Sequence, residues 1–247
     1  MRIMEKSVLI TGASKRIGRT LALDMAEQGW HVAVHYNNSQ DEAEDLVEKI
    51  NACGVESVAV GGDLADLDAV NGIVGAATKK IGVLRCLINN ASIFENDDLS
   101  NITNESFTKH IDINCKAPLF LAQSFYKQLG RRKGNIINML DYCVWNLPEK
   151  FLSYGLSKYS LWGVTQILAK QLAPKVRVNG IGLGHSLPNN NETQESFAKA
   201  RKKTPLQNGA DPEEIKNAIN FIIQSESMTG QMLALDGGKH LIGAEFY

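Results

Sequence analysis

The sequence predicts an α/β protein: one doubly wound, Rossmann-type domain with a seven-stranded parallel sheet and helices on both faces. Short runs rich in Val, Ile, Leu and Ala alternate along the chain with longer stretches whose apolar residues recur at helical spacing. That is the pattern of strands buried on both faces and joined by crossover helices. No Pro/Gly/Ser-rich linker, internal repeat or low-complexity tract divides the 247 residues, so 1–247 reads as one domain. The amino-terminal order of apolar run, glycine-bearing turn and amphipathic helix is the opening unit of such a fold.

The elements follow in order. Residues 7–11 (SVLIT) form the first strand, and 17–28 a helix with Ile17, Leu21 and Met25 four residues apart, ended by Gly29. His31–Tyr36 is the second strand, and Ser39-Gln40-Asp41-Glu42 reads as a capping box opening a helix to Ala52. Residues 55–60 make the third strand, 66–81 a helix, and 85–89 the fourth strand around Cys86-Leu87-Ile88. Helices fill 105–130, with Pro118 as a boundary or kink. The fifth strand spans 135–139, a long helix 153–172, the sixth strand 175–181. Last come a helix over 211–224, with Pro212 in its first turn, and the seventh strand over 231–235. Between them, 184–205 is a long polar interruption containing Pro188-Asn189-Asn190-Asn191; such a segment is disordered, a lid, or both.

Composition narrows the partners. Twenty-six Lys and Arg against 27 Asp and Glu give a net charge of −1, which argues against nucleic acid or an anionic membrane. The 44% hydrophobic content excludes a disordered chain, and no apolar run approaches the roughly 18 residues of a membrane span. Charges at Arg2, Glu5 and Lys6 stand where a signal peptide needs apolar residues. Cys53, Cys86, Cys115 and Cys143 show no metal-ligand spacing, as expected of free thiols in a reducing compartment. The expectation is a soluble, cytoplasmic protein acting on a small molecule without a metal.

The first strand runs into Thr11-Gly12-Ala13-Ser14-Lys15-Arg16-Ile17-Gly18. Glycines in a strand-to-helix turn let backbone N–H groups approach a pyrophosphate, with the helix N-terminus supplying positive potential; the alternative is an ordinary glycine turn. The second strand ends His35-Tyr36-Asn37-Asn38-Ser39, with no acid until Asp41. A carboxylate there would hold the ribose hydroxyls of NAD and repel a 2′-phosphate. Its absence, with Lys15 and Arg16 in the turn and Ser39 at a helix N-terminus, favours NADPH, although Ser39 also suits a plain N-cap. Tyr154 and Lys158 lie four residues apart on one helix face, where a nearby ammonium favours the phenolate and draws the phenol toward useful acid–base range. A YxxxK alone is common by chance.

Taken together these residues resemble the short-chain dehydrogenase/reductase family, over essentially the whole chain from Ser7 to Gly238. The family's TGxxxGxG turn is matched at Thr11, Gly12 and Gly18, with Arg16 in place of the middle glycine. That form, with Ser92 and Phe94 after Asn89-Asn90-Ala91, is similar to the pteridine and dihydromonapterin reductases. The resemblance implies NADPH held by Gly12, Ser14, Lys15, Arg16, Ile17 and Gly18, by Tyr36, Asn37, Asn38 and Ser39, by Asp63 and Leu64 at the adenine, and by Asn90, Ala91, Ser92, Tyr154, Lys158, Gly184 and Ser186. It implies catalysis by Tyr154 and Lys158, with Asn114 relaying protons through water. Asp63 and Asn114 also have bland readings, a loop cap and a helix-bending polar residue, and Phe94 a place in the core.

The principal departure follows the fifth strand, where most family members have Ser and this chain reads Asn138-Met139-Leu140-Asp141. A carboxylate near Tyr154 opposes its ionisation but suits reduction of a ring C=N, where a nitrogen gains a proton; alternatively Asp141 only caps a loop. The resemblance implies a pterin contacted by Arg16, Ser92, Phe94, Asp141 and Tyr154, a lid at 184–205, and a homotetramer built on the helices near 116–131 and 153–172. Two other functions stay open. One is a 3-oxoacyl-[acyl-carrier-protein] reductase, for which Arg131-Arg132-Lys133 would dock an acidic carrier, although these cations equally complement a helix C-terminus. The other is a non-catalytic NADP-binding sensor.

Overall fold

The computed structural model describes residues 6–188 and 192–242. Seven strands, β1 (Ser7–Ile10), β2 (His31–Tyr36), β3 (Ser57–Gly61), β4 (Cys86–Asn89), β5 (Gly134–Asp141), β6 (Val176–Leu183) and β7 (Met232–Leu235), form one parallel sheet in the order β3-β2-β1-β4-β5-β6-β7. The chain builds outward from β1 to β3, then returns to the other side of β1 as β4. A crevice therefore opens beyond the C-terminal ends of β1 and β4, where doubly wound sheets bind their ligands.

Alternation along each strand splits the core into two layers. In β1, Val8 and Ile10 face one layer and Leu9 the other, all fully buried. The first layer is closed by α1 (Arg16–Glu27), through Leu21 and Met25, by α2 (Gln40–Ala52), through Leu46 and Ile50, and by α8 (Pro212–Gln224), through Ile215, Ile219 and Ile222. The second is closed by α3 (Leu67–Ile81), α5 (Ala117–Gln128) and α6 (Leu152–Gln171), around Ile73, Phe125 and Leu168.

Three local expectations need correction. The third strand is Ser57–Gly61 rather than 55–60, because pairing with β2 sets its register. In the region 105–130 the expected boundary at Pro118 is present: α4 (Asn104–Ile111) passes through a π turn (Asp112–Lys116) into α5, with Pro118 in the first turn of α5. Pro118 has no N–H to return to a preceding carbonyl, which suits a first helical turn. The described part of the segment 184–205 is not a structureless loop, since it holds α7 (Gln194–Lys202), capped by Thr193; Asn189, Asn190 and Asn191 lie outside the described residues. Only Phe197 of α7 is buried, so no helical apolar stripe marked it in the sequence. The capping box at Ser39 does not form: Ser39 makes no side-chain cap bond, and Glu42 instead pairs with Lys15 at 2.7 Å. Asp211 and Glu214 do form such a box at the start of α8.

Candidate active site

The first rim of the crevice is the turn after β1. Gly12 adopts φ +60, and a Cβ there would stand 3.1 Å from Ala91, so the loops after β1 and β4 meet backbone to backbone. At Gly18 a Cβ would collide with the Gly12 carbonyl oxygen and lie 2.7 Å from Asn90 Nδ2. Thr11 Oγ1 accepts from the amides of Asn90 and Ala91, while Asn90 Nδ2 donates to the Thr11 and Gly12 carbonyls at 2.9 and 3.2 Å. Arg16 has φ +53, the left-handed backbone that a glycine adopts freely and that costs another residue about 1–2 kcal/mol. Its side chain lines the cleft.

No side chain caps the N-terminus of α1 and no acid stands in its first turn. Its leading amides and dipole are therefore available to an anion, which fits a pyrophosphate. Lys15 is tied to Glu42, while the Ser39 hydroxyl is not used as a cap. Asn37 and Asn38 are exposed, and the Tyr36 ring lies over Gly61. Asp63 is exposed and its Oδ1 accepts from Ala65 N at 2.9 Å, beside buried Leu64.

The second rim is built on α6, where Tyr154 and Lys158 share a face, both buried. Tyr154 Oη donates to Asp141 Oδ2 at 2.7 Å, and the other Asp141 oxygen accepts from Cys143 N at 2.8 Å. One Asp141 oxygen thus caps the turn after β5 while the other meets the tyrosine. Lys158 Nζ donates to the Met139 carbonyl at 2.8 Å and lies 5.8 Å from the centre of the Tyr154 ring.

The expectation that Lys158 draws Tyr154 toward ionisation is reversed in this arrangement. Burial, then the Asp141 carboxylate, push the phenol well above its ordinary value, so Tyr154 is a neutral donor. Burial brings Lys158 down to about 8, with Asp141 resisting.

Asn114 sits in the π turn, fully buried. Its Oδ1 accepts from Ile93 N and Ser92 Oγ, and its Nδ2 donates to Ile93 O and Ser157 Oγ. All four side-chain hydrogen bonds are filled, so this side chain clamps the loop after β4 against α6. Phe94 stacks on Phe151 at 4.4 Å and meets the edge of Tyr154 at 4.6 Å.

Between the rims lies a cleft of about 230 Å³. Of the expected residues, Arg16, Ile17, Asn90, Ser92, Phe94, Asp141, Tyr154, Lys158, Gly184 and Ser186 line it; the remaining ones stand along the β1–β3 side or, like Asn114, behind the wall. Tyr142, Cys143, Phe151, His185 and Glu192 also line it and were not foreseen, although Tyr142, Cys143 and His185 lie within two residues of Asp141 or Gly184 in sequence. Burial lowers His185 below its ordinary value and raises the Cys143 thiol.

A further unforeseen residue is Asp97. Its Oδ1 accepts from Ser153 N, its carbonyl from Leu152 N, and its Oδ2 from Ser106 Oγ, at 2.9, 3.0 and 2.8 Å. It thereby caps the helix that carries Tyr154. Burial works to raise this carboxyl, but the hydrogen bonds from Ser153 and Ser106 prevail and hold it below the usual range. Among the described residues no cluster could hold a metal ion, and no helix is long and apolar enough to cross a membrane.

Comparison with known proteins places this geometry. A family model described as enoyl-(acyl carrier protein) reductase matches residues 12–240. The 3-oxoacyl-[acyl-carrier-protein] reductase FabG of Staphylococcus aureus is 32% identical over 246 residues, spanning 96% of this chain and 99% of its own. Its Staphylococcus epidermidis counterpart is 31% identical over 244 residues, 96% of this chain and all of its own. Among solved structures, FolM alternative dihydrofolate reductase 1 of Brucella suis, in complex with NADP, is similar with a TM-score of 0.93 and 38% identity over 96% of each chain.

Proposed function

The chain belongs to the short-chain dehydrogenase/reductase family, a family of oxidoreductases, and from that premise we propose that it is an NADPH-dependent reductase of a C=N bond in a pterin. The observation that carries this reading is the 2.7 Å hydrogen bond from Tyr154 to Asp141. The likeness to FolM, a dihydrofolate reductase crystallised with NADP, supports it.

NADPH, when bound, supplies a hydride. The uncapped N-terminus of α1 would hold its pyrophosphate, Arg16 and Ser39 its 2′-phosphate, Asp63 and Leu64 its adenine, and Ser92, Tyr154, Lys158, Gly184 and Ser186 its nicotinamide end. Tyr154 holds the proton that the ring nitrogen needs as the neighbouring carbon is reduced. Asp141 holds that proton until it turns to the substrate, and its negative charge favours the cationic character of an imine nitrogen being protonated. The same charge disfavours the oxyanion that develops when a ketone is reduced. Lys158, brought to about 8 by burial, would restore the proton to the tyrosine. Arg16, Ser92 and Phe94 bound the space for the pterin, and the segment 184–205, with α7 in it, is the lid that excludes water.

The 3-oxoacyl reductase reading draws on the Staphylococcus relatives and on Arg131-Arg132-Lys133. One experiment separates the two: loss of NADPH absorbance with dihydropterins or dihydrofolate against acetoacetyl-CoA, for wild type and Asp141→Ser. Turnover of a dihydropterin that collapses in the variant is expected. Turnover of acetoacetyl-CoA alone, unchanged or improved in the variant, overturns the pterin reading, and cofactor binding with no turnover points to a sensor. The proposal extends to a cytoplasmic homotetramer, supported by exposed Leu119 and Tyr126 on α5 and Tyr159 and Ile167 on α6, and checked by light scattering in solution.

A further inference from the structure

His35, the second-last residue of β2, is 1% exposed and takes no part in the chemistry above. Its imidazole spans three strand ends. Nδ1 accepts from Gly12 N at 3.1 Å, beyond β1, and Nε2 faces the Gly62 carbonyl at 3.0 Å, beyond β3. The His35 main-chain oxygen also accepts from Ala13 N at 2.9 Å. One ring form satisfies both contacts, the neutral tautomer with its proton on Nε2, because Gly12 can only donate and Gly62 O can only accept. Burial supports that form by lowering the imidazole to about 4, against weaker opposition from Gly62 and Asp63.

The two amides at the start of the turn are therefore spent on His35. Gly12 is held in its left-handed conformation, and the amides left for an anion are those further along, at the N-terminus of α1. We propose that His35 is a positioning residue for the NADPH site: its Nδ1, by holding the Gly12 amide inward, sets the direction in which the turn presents the start of α1. This rests on the cofactor reading above but not on the choice of pterin.

The ring has two contacts, and two amide side chains separate them. In His35→Asn the amide oxygen falls near the place of Nδ1 and keeps the Gly12 contact. In His35→Gln the amide nitrogen falls near the place of Nε2 and keeps only the Gly62 contact. NADPH affinity is read from the fluorescence of the bound cofactor on each purified protein, without substrate, together with KM for NADPH and kcat. The expected result is a dissociation constant about tenfold higher in His35→Gln, the worth of one unmade buried hydrogen bond, and near wild type in His35→Asn. KM for NADPH should follow, with kcat at saturating cofactor unchanged in both.

Equal weakening in the two variants, or none in either while wild type binds NADPH, overturns the inference. Failure of wild type to bind NADPH overturns the cofactor reading itself. Imidazole nitrogen NMR of the wild-type protein tests the same idea without a variant: the neutral tautomer protonated on Nε2 is expected at neutral pH, and either a protonated ring or the other tautomer refutes it.

Discussion

The two rims of the crevice are made differently. On the β1–β3 side the working surface is backbone: glycine at positions 12 and 18, main-chain amides at the start of α1, and side chains such as Asn90 and His35 that bond to main chain. On the β4–β6 side it is a set of buried ionisable side chains, Asp141, Tyr154 and Lys158, whose properties depend on desolvation and on one another. A phosphate needs closely approaching amides, which only bare backbone can offer. Proton transfer needs groups of tuned acidity, which only buried side chains can offer. The first rim should therefore be intolerant of added atoms, and the second of changed charge.

The largest expected effect tests the second rim. Tyr154→Phe removes the donated proton while leaving the ring packed on Phe94, so kcat should fall by about 10³-fold with NADPH affinity retained. Single-turnover kinetics and a cofactor titration check it, and a comparable loss of NADPH binding would blur the distinction between the rims.

Next, Gly18→Ala adds one methyl to the first rim, within 3 Å of the Gly12 carbonyl and of Ala13 Cα. Backbone must shift there, so about 3 kcal/mol of stability should be lost in denaturant unfolding and NADPH affinity with it.

Smaller is Asp97→Ala, which uncaps the helix behind Tyr154 at a cost of about 2 kcal/mol. The sign of its pH dependence follows from the depressed folded-state value. The contribution is present above the carboxyl's unfolded value of about 3.9 and is lost as pH falls through the folded one. Wild type and variant should accordingly converge in stability in acid.

The smallest effect belongs to Glu42→Gln, which releases exposed Lys15. Melting temperature should not change, since exposed ion pairs contribute little, while affinity for NADPH relative to NADH should rise modestly. No gain would mean that Lys15 does not face the 2′-phosphate.

What could be read ahead of the structure was local. The alternation of buried β1 with α1, the paired Tyr154 and Lys158, and the glycines at 12 and 18 are written in short-range periods and spacings. The π turn at Asp112–Lys116, α7 with its single buried Phe197, and the unused cap at Ser39 were not legible, because local signals there were weak or outcompeted. Glu42 had two available partners, the start of its own helix and Lys15 on another element, and sequence carries no measure of that competition.

The sequence by itself determined the order of strands and helices, the two-layer core, and which side chains are able to do acid–base work, since hydrophobic period and residue chemistry act over a few neighbours. Tertiary structure alone decided that Asp97 caps α6 from 56 residues away, that His35 spans Gly12 and Gly62, and that Tyr154 is a neutral donor to Asp141. Those outcomes depend on which distant groups share a desolvated space. Burial sets the acidity of each group there, and burial is a property of the assembled sheet and helices rather than of any segment.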